Sequence, residues 1–292
     1  MRRSTLFAIL LLPLFSGACS DQLSERTGMV AVHLTDAPFP FEMIEAAEFT
    51  IEGAEIHLMA SNGDSGFHTI ADSVMTLDVL ELSNGVTKLL GEVELPVGTI
   101  NQLRLLVTEA QLTLVDGRQF ALDIPSGDSS GLKVFPEPDI DVAADDTVDV
   151  IVDIDVSRSI SSIPAAPQHV DEISGFLFHP VLRAVVLSET GALAGSVRYD
   201  SDTPAVPDDD VPIAGTTVSM WRDGEVVTGT STDENGEWML IGLEPGQVLL
   251  RAEAAGHTPA ETSVEVTAGT LANGHDFVLA ASSESTASPP RH

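Results

Sequence analysis

MVAVHLTDAPFPF, residues Met29 to Phe41, decides the fold class. Val30, Val32 and Leu34 fall on one face of an extended segment and Ala31, His33 and Thr35 on the other, which is the two-residue period of a strand. Asp36-Ala37-Pro38 then turns the chain, because Asp bonds nearby backbone amides and Pro cannot donate to a sheet ladder. The same alternation between turn residues recurs along most of the chain, so an all-β protein is expected.

Composition sets the outer bounds. With 292 residues, 43% of them hydrophobic, the chain can build two cores. Lys and Arg number 13 against 45 Asp and Glu, a net charge of -32. Such a surface repels nucleic acid and anionic lipid, so neither is expected as a partner. Lys88 and Lys133 are the only lysines. An acid-rich, lysine-poor surface of this kind suits salty water, where self-repulsion is screened.

The single cysteine, Cys19, excludes an intrachain disulfide. Ahead of it stand Arg2-Arg3, the apolar run Leu6 to Leu14, and the small residues Ser16-Gly17-Ala18, which together read as a secretory signal over 1–18. The run is too short for a stable membrane-spanning helix. This segment resembles the signal of a bacterial lipoprotein, with Ser16 where Leu usually stands. The resemblance implies cleavage before Cys19 and a lipid on its sulfur. Ser20 in place of Asp after the cysteine implies sorting to the outer membrane of a Gram-negative cell. Residues 19–28 then form a tether, whose last nine positions reach at most roughly 30 Å. Loss of two arginines and no acids with the signal leaves -34 on the mature chain.

Ala47, Phe49 and Ile51 share a face, but Ala54, Ile56 and Leu58 continue one step out of phase, with Gly53 between them. That pattern predicts a bulge or bend. Asn62-Gly63-Asp64 is a turn, and Val74 to Leu90 reads as short helical turns. Strands are expected at 103–108, 112–115 and 119–124, with Asp116-Gly117 turning between the last two. Pro125 to Lys133 is Gly- and Ser-rich but lacks phosphate-cradle spacing, so it reads as a hairpin loop. Val148, Val150, Val152, Ile154 and Val156 make an apolar face, while Asp149, Asp153 and Asp155 line the other. That acidic row is a calcium candidate, read here as a solvated outer face because calcium ligands usually converge from a loop. Phe176 to Leu187 is expected as one long strand, with an edge or bulge at Pro180.

VAVHLTDAP, LPVGTINQLRL, IPSGDSSGLKV, DVIVDIDVSRSI and HPVLRAVVL, in that order over 29–188, resemble the bacterial family called domain of unknown function 4382. The resemblance implies a β-sandwich on secreted lipoproteins and no known activity or site residues. After the polar hinge Ser188-Glu189-Thr190-Gly191, a second pattern begins. Gly195-x-Val197, Val211-Pro212-Ile213-Ala214-Gly215-x-x-Val218, Thr232-Asp233-x-x-Gly236-x-Trp238-x-Leu240 and Leu243-x-Pro245-Gly246 are similar to a carboxypeptidase regulatory-like domain of transthyretin topology, over 191–281. Such domains fall in a carbohydrate-binding-like fold class, which is a fold label and not an activity. Residues 282–292 read as a polar, disordered tail.

No local nucleophile signature such as G-x-S-x-G occurs, and the histidines form no H-x-H or H-E-x-x-H pair, although His33, His57, His68 and His179 could converge in space. Asp208, Asp209 and Asp210 are adjacent rather than alternating, so a solvated loop is expected there rather than a calcium loop. Trp238 is in phase with Leu240 and should be buried. Trp221 is out of phase with Val218 and Met220, which makes it the candidate ligand contact or an interface residue. The expectation is therefore two antiparallel β-sandwich domains in series, without cofactor or enzymatic activity. The role expected is that of a lipid-anchored envelope scaffold or adhesion protein, with an envelope protein or a glycan as partner. A carbohydrate-binding module is the alternative, and an envelope hydrolase the weaker one.

Overall fold

The computed structural model describes residues 26–37, 43–125, 131–199 and 211–282. Residues 1–25 with Cys19, most of the Gly- and Ser-rich loop at 126–130, Asp208 to Asp210, and the tail from 283 lie outside the described residues.

The first group of strands is β1 (Thr27–Ala37), β2 (Ile44–Ala60), β3 (Ser65–Ala71), β4 (Met75–Asp78), β5 (Lys88–Pro96), β6 (Gly98–Leu114), β7 (Gln119–Ala121), β8 (Leu132–Val134), β9 (Ile140–Val142), β10 (Thr147–Asp155), β11 (Ile160–Ile163), β12 (Gly175–Phe178) and β13 (Leu182–Val186). One helical turn, α1 (Val156–Ser159), follows β10. The second group is β14 (Gly191–Tyr199), β15 (Val211–Pro212), β16 (Thr217–Arg222), β17 (Glu225–Ser231), β18 (Glu237–Leu243), β19 (Gly246–Glu253), β20 (His257–Thr258), β21 (Ala260–Val266), β22 (Leu271–Ala272) and β23 (Phe277–Ala281). Among the described residues no helix is long and apolar enough to cross a membrane.

The two groups bury separate hydrophobic clusters, one between Val30 and Ala184, the other between Leu193 and Leu279. We refer to them as the N-terminal and C-terminal modules. In the first, a sheet ordered β13-β10-β1-β5 packs with a larger sheet built on β3-β2-β6-β7, where β4 joins β2 and β8 and β9 join β6. In the second, β17-β16-β19-β21 packs with a sheet centred on β14. Alternating apolar residues supply each core from both inner faces, the usual logic of a sandwich.

The all-β class stands, and antiparallel ladders predominate. Among the described residues three pairings are parallel, however: β1 with β10, and β14 with both β22 and β23. Residue period cannot reveal this, since strands of either direction alternate in the same way. The bulge expected near Gly53 is present, with a register shift between Ile51 and Gly53 inside the single strand β2. Gly53 has a steric reason to lack a side chain, because a Cβ there would stand 2.8 Å from the Ala71 carbonyl oxygen.

Other expectations are corrected. The two strands foreseen at 103–108 and 112–115 are one, β6, which absorbs a register shift opposite Thr50 and Ile51 instead of ending. Within 74–90 only Val79–Leu82 is helical, a 3₁₀ turn capped by the Asp78 side chain, and the flanking residues are strands β4 and β5. The strand foreseen at 176–187 is broken, because Pro180 ends the ladder: β12 pairs with β11, whereas β13 joins β10 in another sheet. The polar hinge expected at Ser188 to Gly191 is tied down by hydrogen bonds. The Thr190 hydroxyl donates to the Leu187 carbonyl at 2.9 Å, and the Thr190 carbonyl accepts from the Gly269 N–H at 2.8 Å.

Candidate functional site

The polar chemistry of the described chain concentrates where the modules meet. Strand β10 lies between β1 and β13, and its inner residues Val150, Val152 and Ile154 fill the N-terminal core. Its other face is covered too. Ile151 is 2% exposed and Gly242 of β18 packs over it and over Val185. Asp153 and Asp155 are likewise buried, not solvated, which corrects the reading of a solvated acidic face; only Asp149 keeps that character, facing His33 Nε2 at 3.4 Å.

Arg183 stands opposite Asp153 in the β10–β13 register, and its Nε donates to Asp153 Oδ2 at 2.8 Å. The same guanidinium donates from Nη1 to the Gly242 carbonyl at 3.0 Å, so one side chain ties the two modules together. A carboxylate this deeply buried requires such a partner. Asp155 serves a different end: its Oδ1 accepts from the Ser157 hydroxyl at 2.6 Å and from the Arg158 N–H at 2.9 Å, capping α1.

Asp36, at the end of β1, accepts the Val156 N–H on Oδ1 at 3.2 Å. Burial pushes its carboxyl well above the ordinary carboxylate range, and the negative charge of Asp153 adds to that rise. A second tie is made by the Asn84-Gly85 turn. The Met239 N–H donates to Asn84 Oδ1, and Asn84 Nδ2 donates to the Glu237 carbonyl at 3.5 Å. Gly85 has φ +77°, and a Cβ there would stand 2.6 Å from Met239 Sδ.

Beside this turn lies a polar cleft of about 400 Å³, lined by Asn84, Arg198, Asp233, Glu237, Asn273 and Asp276 among others. Several of its oxygens are already engaged. Asp233 Oδ1 accepts the N–H groups of Asn235 and Glu237, each at 2.8 Å, and the Glu237 bond in particular holds the carboxyl below its ordinary range. Asp276 Oδ1 accepts from the Ser196 N–H at 2.8 Å and its hydroxyl at 2.9 Å.

Trp238 is 2% exposed, as its phase required. Trp221 is half-buried on the other face of β16, but its indole N–H is spent on Ser219 Oγ at 2.8 Å and the Arg251 guanidinium lies 6.0 Å from its ring centre. The histidines are not brought together: among the described residues no group of three His, Cys, Asp or Glu side chains could hold a metal ion. His57, for example, bonds Asn101 Oδ1 at 2.7 Å.

Asp36, Asn84 and Arg183 were not singled out from the sequence. Asp36 and Asn84 carry ordinary turn signals, LTDAP and Asn-Gly, which conceal a second role. The available signal for Arg183 was a lone cation inside the apolar run Leu182 to Val186.

Residues 27–178 match the family described as Domain of unknown function (DUF4382), and residues 205–280 match the Carboxypeptidase regulatory-like domain. No curated protein matches the chain. Among solved structures, the chain is similar to the TIE protein of Bacillus anthracis, at 11% identity and TM-score 0.26 over 88% of this chain. It spans 34% of that protein's length. It is also similar to GBS52, the minor pilin of Streptococcus agalactiae, at 12% identity and TM-score 0.27, covering 89% of this chain and 99% of that one. The shaft pilin spaA from Lactobacillus rhamnosus GG matches at 11% identity and TM-score 0.27, over 88% and 98% of the two chains.

Proposed function

The chain belongs to the DUF4382 family, and from that premise we propose that it is a non-enzymatic scaffold or adhesion protein of the cell envelope, held to the outer membrane by a lipid on Cys19. The observation that carries the reading is the use made of the buried acids. Asp153 and Asp155 direct their oxygens to a guanidinium, a hydroxyl and a backbone N–H, so they hold strands and modules in place instead of facing a cleft. A net charge of -32 keeps such a surface soluble and favours a neutral or cationic partner.

Cross-linking in native membranes followed by purification should yield a discrete envelope protein. Recovery of the protein alone, together with turnover of an ester or glycoside substrate, would overturn the scaffold reading. The anchor is tested separately: Cys19→Ser should move the protein from the membrane pellet to the soluble fraction, and a variant that stays in the pellet refutes the lipid.

One second reading is a carbohydrate-binding protein, which two separate features favour: the polar cleft shared by Asn84 and the C-terminal module, and Trp221 on the outer face of β16, which does not line that cleft. A sugar platform needs an open aromatic face, and Trp221 shares its ring with Arg251. The scaffold reading therefore expects no signal on a glycan array. Binding that Trp221→Ala abolishes without lowering Tm would put the glycan reading in its place.

A further inference from the structure

Between the modules lies a cavity of about 10 Å³, bordered by Asp36, Asp153 and Arg183 from one side and by Thr228, Thr230 and Met239 from the other. That is the space of one water molecule. Two of its bordering side chains hold buried oxygens with no hydrogen-bond partner in the structure, Asp36 Oδ2 and Thr230 Oγ1, and they belong to different modules. Asp36 is 5% exposed and Thr230 1%. A buried polar atom left unmatched costs stability, so two such atoms on a water-sized space indicate that something polar joins them.

We propose that this cavity is a proton-and-water site: Asp36 is held as the neutral acid and donates through one bound water to the Thr230 hydroxyl, closing the seam between the modules. This goes beyond the scaffold reading and does not depend on the anchor or on any partner.

The surroundings favour the neutral acid over the carboxylate. The ionisable groups facing Asp36 are Asp153 and Asp155 at the end of β10, Asp78 at the end of β4, and Arg183 on β13, which is committed to Asp153. Across the seam the bordering residues, Thr228, Thr230 and Met239, carry no charge. Ionising Asp36 would thus add a negative charge beside three others in a space shut off from bulk solvent, against the single backbone N–H of Val156. Desolvation by burial is the largest cause of the raised carboxyl, and the neighbouring acids add to it.

The linkage has a definite sign. A carboxyl raised in the folded state keeps its proton after the unfolded chain has lost it. The stabilisation is complete below the ordinary value of 3.8 and is lost as pH rises towards the folded value. Over that window the folding equilibrium constant falls by up to about tenfold per pH unit. The seam is therefore closed in mild acid and weakened in alkali.

The test uses the full chain, with Tm followed from pH 5 to pH 9 at fixed ionic strength. Wild type should lose stability as pH rises. Asp36→Asn, which copies the neutral acid's donor and acceptor, should lose that slope and exceed wild type at pH 9. Thr230→Val, which removes the water's partner, should lower Tm at pH 5 while keeping the slope that the burial of Asp36 sets. A high-resolution crystal structure at pH 5 should place one water between Asp36 and Thr230. Parallel profiles for wild type and Asp36→Asn would overturn the proposal. If Asp36→Asn does not fold, a Thr230→Val variant whose Tm at pH 5 equals that of wild type overturns it equally. Stabilisation at pH 9 by sodium chloride beyond that given by choline chloride would show that a cation, not a proton, fills the site.

Discussion

Replacing Arg183 by Met should have the largest effect of any single change at the module seam. The guanidinium is 27% exposed in its side chain but its partner Asp153 only 3%. Removing the cation leaves a buried carboxylate without its guanidinium, beside Asp36 and Asp155. Breaking a buried pair from one side costs about 3–5 kcal/mol. Because the guanidinium keeps some contact with water, the low end applies, about 3 kcal/mol, and the lost bond to the Gly242 carbonyl is a further 1 kcal/mol or so. With a urea m-value of about 1–3 kcal/mol/M, that total of about 4 kcal/mol should lower the midpoint by roughly 1–4 M. The assay can also report which module responds. Both tryptophans, Trp221 and Trp238, lie in the C-terminal module, so fluorescence follows that module while far-UV circular dichroism follows the whole chain. Since Arg183 ties the modules, the two transitions should separate in Arg183→Met. The double variant Asp153→Asn with Arg183→Met should recover much of the loss, because no stranded charge remains. The reasoning is refuted if Arg183→Met costs under about 1 kcal/mol, the value of an exposed pair, or if the double variant's cost is the sum of the single costs.

Gly85→Ala should destabilise by about 1–2 kcal/mol from its left-handed backbone alone and further from crowding Met239, whereas Gly117→Ala, at φ +84° with open space around it, should show the backbone cost only. Equal Tm losses would mean that the Asn84-Gly85 turn is not pressed against the C-terminal module. Asp155→Ala should cost about 1–2 kcal/mol by uncapping α1, and Asp155→Asn, which keeps an acceptor, clearly less; calorimetry that finds the two alike would remove the cap from the account. Adding NaCl or KCl should raise Tm by the same amount, as screening of a -32 chain requires. A step in Tm at micromolar calcium and constant ionic strength would instead restore Asp149 or Asp208 to Asp210 as ligands.

The seam also shows where sequence reading stopped. Alternation in Val148 to Asp155 correctly placed the valines on one face and the aspartates on the other. It could not say that a second module would lie over the face at Ile151 and Asp153, because periodicity records which residues share a face and not what lies against it. Trp238 was legible because its phase matched Leu240 and its burial needed only its own core. Trp221 was legible as outward, but not its engagement by Ser219 and Arg251, which come from packing within the sheet. Pro180 was a correct warning given too little weight: it separates β12 from β13 and so puts Arg183 in the sheet where it meets Asp153. Asn84 is the clearest loss. Asn-Gly predicts a turn wherever it occurs, and nothing local tells that this turn bonds the backbone of residues 237 and 239.

Strand β1 is the first described strand to be synthesised, yet it lies inside its sheet, between β10 and β5. Met29 pairs with Thr147 and Ala37 with Asp155, so its parallel neighbour does not exist until more than half the chain has been made. Closing such distant pairings is entropically slow, and chains dominated by them fold in milliseconds to seconds. Throughout that wait the edge of β1 that β10 will cover keeps open backbone groups, a template for pairing with another copy, even though β5 on the other side is already made. The acidic composition then has a temporal meaning as well as a spatial one: like charge keeps unfinished chains apart during the interval in which β1 lacks its β10 partner.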